Sequence, residues 1–124
     1  MSEMLSEERS ASLLEENLKK AVTEYLILSL LSEQERFIGE ISYEIDGRSK
    51  GAVHIEFPYA SIYRISRAGY IVESSKRSAP DGRRRQYYRI TEQGRAYLSQ
   101  LDRVYHRFIG GVSDVLQKEG NTDG

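Results

Sequence analysis

The chain has no cysteine and no tryptophan among its 124 residues, only two prolines and only two histidines. Without cysteine there is no disulfide scaffold, no iron–sulfur cluster, no thiolate zinc site and no cysteine nucleophile. His54 and His106 stand alone, neither paired at metal-ligand spacing, and no P-loop, G-x-G-x-x-G, G-x-S-x-G or H-E-x-x-H pattern occurs. The expectation is a protein that is not an enzyme and takes no metal or cofactor. No apolar run approaches the roughly 18–20 residues that span a bilayer. The polar, acidic start is unlike a secretory signal, so a cytoplasmic location is expected, with no membrane partner. The length suits one domain, and 39% hydrophobic residues fill one modest core.

A net charge of −1 conceals an uneven distribution. Residues 1–50 carry 6 Lys/Arg against 11 Asp/Glu, residues 51–95 carry 9 against 4, and residues 96–124 carry 3 against 4. A basic middle between acidic ends points to an anionic partner for the middle segment.

Leu14, Leu18, Ala21, Tyr25 and Leu28 recur at three- and four-residue steps, which predicts a helix over 13–32. Ser12 and Glu15 have capping-box spacing at its start. Residues 32–36 read as a polar connector. Ile38, Ile41 and Ile45 mark a second, short helix ended near Gly47. Strict alternation of Val53, Ile55 and Phe57 predicts a strand over 52–57, with His54 on its polar face. Pro58 then opens a helix over 58–68 that Gly69 stops. At 100° per residue, Tyr59, Ile62, Ile65 and Ser66 share an inner side. Ala60, Tyr63, Arg64 and Arg67 share the outer one, with Ser61 at the border. Arginine, hydroxyl and aromatic groups on an outward face suit a major groove, and Arg64 and Arg67 are the expected readers.

Next comes a hairpin, 70–77 and 83–90, turning at Ala79-Pro80-Asp81-Gly82. Lys76, Arg77, Arg83, Arg84 and Arg85 cluster at its tip, where five cations repel unless an anion lies near; phosphate is the expected one. Thr91 caps a last helix. Along it Leu98, Leu101, Tyr105, Phe108, Val112 and Val115 form a coiled-coil-like seam interrupted by Gly110-Gly111. Folding back on its own domain and pairing with a second copy both account for such a seam; the small core favours the second. Helix, helix, strand, helix and basic hairpin make a mainly α winged helix-turn-helix with a small three-stranded antiparallel sheet and a C-terminal dimerisation helix. The expected division is 13–90 for DNA binding and 91–118 for dimerisation, with tails at 1–12 and 119–124.

The run Gly82-Arg83-Arg84-Arg85-Gln86-Tyr87-Tyr88-Arg89-Ile90-Thr91-Glu92-Gln93-Gly94-Arg95 resembles the wing signature of the PadR-like transcriptional regulators of bacteria. Gly69-Tyr70-Ile71 and Tyr25-Leu26-Ile27-Leu28-Ser29-Leu30-Leu31 are similar to two further stretches of that family. Either Tyr59 or Tyr63 matches the family's recognition-helix tyrosine. The resemblance implies a sequence-specific DNA-binding regulator, acting as an effector-responsive repressor on a palindromic double-stranded operator. It also implies a homodimer whose C-terminal helix crosses to the partner, with phenolic acids or drug-like aromatics as effector types. Tyr97 and Tyr105 are candidates to line a pocket for such a ligand, although packing accounts for them equally well. The implied DNA contacts are Tyr59, Ser61, Tyr63, Arg64, Arg67, Lys76, Arg77, Arg83, Arg84 and Arg85. The alternative is a winged-helix module whose arginines bind an acidic protein.

Overall fold

A computed structural model describes residues 2–56 and 58–117. Helix α1 spans Ser2–Glu33, strand β1 Arg36–Phe37, helix α2 Ile38–Arg48 and helix α3 Tyr59–Arg67. Strands β2 (Ile71–Ser78) and β3 (Arg84–Ile90) and helix α4 (Glu92–Leu116) complete the chain. The sheet is antiparallel in the order β1-β3-β2. One core gathers Ile27, Leu28 and Leu31 of α1, Ile41 and Ile45 of α2, Ile62 and Ile65 of α3, and Ile71 and Ile90 of the sheet.

The first helix begins at Ser2, well before the start expected at Ser12. Neither glycine nor proline occurs in residues 1–38, so nothing interrupts helical hydrogen bonding, and the Ser12–Glu15 spacing is absorbed within the helix. The tail expected at 119–124 lies outside the described residues.

The first strand is not where alternation placed it. Residues 52–56 form a loop, and Phe57 lies outside the described residues. The Ser49 hydroxyl accepts from the Val53 amide (3.0 Å) and pairs with its carbonyl (3.2 Å), which curls this segment. Val53 and Ile55 still point into the core, so the alternation reports burial without a ladder. His54 sits beside Asp46, Nδ1 to Oδ1 3.2 Å, on the exposed side.

The polar connector instead supplies β1, where Arg36 pairs with Tyr88 and Phe37 with Tyr87. Arg36 is only 4% exposed. Its Nε donates to the Leu30 carbonyl (3.1 Å) and its terminal nitrogen to Glu33 (2.8 Å). A buried guanidinium thus satisfies the C-terminal end of α1 and is itself paired.

Glu33 also receives two donors from Arg48 of α2, at 2.7 and 2.9 Å. The two arginines, Arg48 first, hold its carboxyl down to about 2 from an ordinary value near 4.5. A depressed carboxyl pKa stabilises the fold above the unfolded value, and that contribution disappears as pH falls toward the folded value. Glu33→Gln is therefore expected to lower the urea midpoint at pH 7, with the gap closing between pH 4.5 and 2. A gap unchanged across that range would remove Glu33 from the account. Since the pair is exposed, added salt narrows the gap too.

Candidate nucleic-acid interface

Helix α3 is set by its ends. Pro58 is buried at the N-cap, and the Ile62 amide donates to its carbonyl (2.9 Å). At the other end Gly69 has φ +85, the Tyr70 amide donates to Ile65 (2.9 Å) and the Gly69 amide to Ser66 (3.0 Å). This is a Schellman close that needs a residue free to take positive φ. It turns the chain directly into β2, so the helix and the hairpin hold a fixed relation.

Ile62 and Ile65 face the core, as the 100° spacing requires, while Ala60, Tyr63, Arg64 and Arg67 are exposed and Ser61 is half-buried. Tyr59 departs from the expectation: it is 58% exposed, because buried Pro58 takes the inward place at the first turn. The outer face therefore carries both tyrosines. The Arg67 guanidinium donates to the Tyr63 hydroxyl (2.7 Å) and lies 5.6 Å from the centre of its ring.

Arg64 is engaged from behind. Its Nε and one terminal nitrogen both donate to the carboxylate of Glu24 on α1. Glu24, then the Tyr97 hydroxyl of α4, raise its already high pKa. Nothing local to residues 58–68 announces Glu24, which lies 40 positions away.

The hairpin turns where expected. Gly82 has φ +84, and its amide donates to the Ala79 carbonyl (2.8 Å). A bulge between Glu73 and Ser75 aims the Ser74 hydroxyl at Glu35 (2.9 Å), which also accepts from Arg77 (3.1 Å). These two donors, Ser74 first, hold the Glu35 carboxyl below its usual range. Arg77 further stacks 3.7 Å over the Tyr87 ring. Arg85 pairs with Asp81 (2.9 Å) and lies 5.3 Å over Phe37. Two of the five cations are thus balanced from within the chain, which the charge count alone did not reveal. Lys76, Arg83 and Arg84 are exposed and make no ion pair among the described residues.

Thr91 caps α4 as expected, its hydroxyl accepting from the Gly94 amide (3.0 Å) and donating to the Gly69 carbonyl (2.7 Å). The seam on α4 divides. Leu98 and Leu101 pack on the chain's own core, and Tyr105 tilts against Tyr25 of α1, ring centres 5.1 Å apart. Asp102 of α4 accepts from the Tyr25 hydroxyl of α1. Phe108, Val112 and Val115 are exposed, as are Leu13, Leu14 and Leu18 of α1. Tyr97 stacks on Tyr70 at 4.2 Å within the protomer.

Residues 27–100 match the family model described as the Transcriptional regulator PadR-like family. A protein of Lysinibacillus sphaericus, described as uncharacterized protein X, is 38% identical over 78 residues, covering 61% of this chain and 71% of that one. A transcriptional regulator from Clostridium thermocellum superposes with a TM-score of 0.68 at 27% identity, over 82% of this chain and 99% of that one. A PadR-like transcriptional regulator from Bacillus cereus gives 0.70 at 25% identity, over 83% and 99%. At 20% identity the PadR family regulator of Eggerthella lenta shows likeness of fold, with a TM-score of 0.74 over 93% and 98%.

Proposed function

The chain belongs to the PadR-like family of transcriptional regulators, and from that premise we propose that it binds double-stranded DNA sequence-specifically, as a homodimeric repressor. The observation that carries this reading is the wing tip. Lys76, Arg83 and Arg84 stand exposed, without an ion pair among the described residues, on a ribbon that follows directly from a helix showing Tyr59, Tyr63 and Arg67. In a helix-turn-helix the second helix reads base edges, and exposed cations beside it hold phosphate. Arg77 and Arg85 support the wing through Glu35 and Asp81, and Ser61 sits at the edge of the reading face. Residues 13–90 carry the DNA-binding part and 91–118 the main pairing helix, which the outer half of α1 assists.

Selection of bound duplexes from a random pool, followed by a salt titration, tests the reading. Enrichment of one palindromic sequence is expected, with a log–log salt slope of about −0.9 per phosphate contact. No enrichment, together with a shallow slope, favours an acidic protein partner instead. Repeating the selection with phenolic acids or drug-like aromatics tests effector response, for which loss of binding is expected.

Pairing rests on the outer halves of α1 and α4. Phe108 is 67% and Val115 80% exposed, so replacing both with glutamate leaves the protomer's own core intact. The wild type is expected to sediment at twice 14.2 kDa at micromolar concentration, and Phe108→Glu/Val115→Glu at 14.2 kDa with unchanged helical content. A wild-type monomer would remove the dimer and, with it, the palindrome.

A further inference from the structure

Arg64 occupies the exposed face of α3 beside Tyr63 and Arg67, where an unengaged guanidinium meets phosphate. Its two clasping donors point the other way, into Glu24, whose side chain is 19% exposed against 59% for Arg64. We propose that Glu24 is a positioning residue that withholds Arg64 from the DNA backbone and ties the recognition helix to the long helix α1, thereby lowering sequence-independent affinity. This rests on the DNA-binding reading above.

Three observations support it. The pair is bidentate, so a phosphate must break two charge-assisted hydrogen bonds to take Arg64. Glu24 is largely covered, and removing its partner leaves a carboxylate uncompensated in a poorly hydrated place, close to an approaching anion. Tyr97 of α4, stacked on Tyr70 just after α3, adds to Glu24 in holding Arg64 in its charged form. Arg67 differs: it pairs with the hydroxyl and ring of Tyr63 on the same helix, and it stays available to an anion. A phosphate contact is available on any sequence, so removing one cation from the backbone lowers affinity for every duplex.

The test measures binding of the full chain to a short random-sequence duplex across a salt series, for Glu24→Gln, Arg64→Gln and the double variant, alongside the duplex selected above. Glu24→Gln is expected to bind the random duplex about 8-fold more tightly per engaged protomer at 0.1 M salt and to steepen the slope by about 0.9 per protomer, the contribution of one added phosphate contact each. The selected duplex gains by a similar factor, because a phosphate contact is available on every sequence. Arg64→Gln gains no slope over wild type, and in its background Glu24→Gln relieves the uncompensated carboxylate but adds no phosphate contact, so the steepening by about 0.9 does not appear. Glu24→Asp, which keeps the charge, moves back toward wild type. An unchanged slope in Glu24→Gln overturns the proposal, as does an equal gain in the Arg64→Gln background. Should Glu24→Gln fail to fold, Arg64→Gln alone decides: a slope flatter by about 0.9 means that Arg64 already grips phosphate, and the proposal falls. A wild type that binds no duplex overturns the DNA-binding reading itself, whereas a binding wild type with an inert Glu24 overturns this inference only.

Discussion

Gly94→Ala is expected to cost at least about 3 kcal/mol, a large part of the roughly 5–15 kcal/mol that holds a domain of this size. Gly94 lies in the first turn of α4, and a Cβ there falls 2.1 Å from the Tyr70 carbonyl oxygen and 2.7 Å from Ile90 Cγ1. The obstruction is backbone and cannot swing aside. That same carbonyl accepts from the Thr91 amide (3.0 Å), so moving it breaks the junction where α3, β2, β3 and α4 meet. Helix propensity predicts the opposite sign, a gain of about 0.5–1 kcal/mol for replacing a helical glycine with alanine. Gly47 of α2 isolates that term, because a Cβ there meets nothing within 4 Å. Urea unfolding should show Gly47→Ala slightly more stable than wild type and Gly94→Ala severely less so. Gly94→Ala within 1 kcal/mol of wild type would show that the junction yields.

Arg83→Ala/Arg84→Ala should weaken binding to every duplex by about 60-fold per protomer at 0.1 M salt and flatten the slope by about 1.8, or by about 3.6 where two wings engage. Neither arginine has an ion pair among the described residues, so neither is needed to hold the wing's shape. Arg77 is a poor place for the same test: its removal strands Glu35 and uncovers Tyr87, mixing wing distortion with lost charge. Titration of selected and scrambled duplexes in parallel checks the expectation. Loss confined to the selected duplex would move these arginines from backbone grip to base readout.

What was legible in the sequence was short-range. The Ala79–Gly82 turn, the Gly69 close, the Thr91 cap and the inward Ile62 and Ile65 each depend on residues within a few positions. The misreadings have a common cause in longer-range partners. A two-residue strand is below any periodic signal, and β1 exists only because Tyr87 and Tyr88 arrive fifty residues later to pair with it. Val53 and Ile55 alternate toward a core without a strand beside them. Helix spacing puts Arg64 on the exposed face, as found, but its Glu24 partner belongs to another helix, beyond the reach of that pattern. The α4 seam is one pattern in sequence and two environments in space, because α1 covers only its first half.

The brevity of β1 has a consequence for solubility. It covers β3 only at Tyr87 and Tyr88, so toward the tip the hairpin is a two-stranded ribbon, with the Arg84–Gln86 edge on one side and the outer edge of β2 on the other. Open edges of this kind anneal to those of neighbouring molecules unless something keeps them apart. Pro80 at the tip and the row of Lys76, Arg77, Arg83, Arg84 and Arg85 do so, since two such ribbons meeting edge to edge bring like charges together. The wing's arginines thus guard against self-association, besides the anion-holding role proposed for them. Neutralising them to study the second role also withdraws the first, and a wing-neutral variant that precipitates at high concentration is a folded protein whose sheet edges have lost their guard.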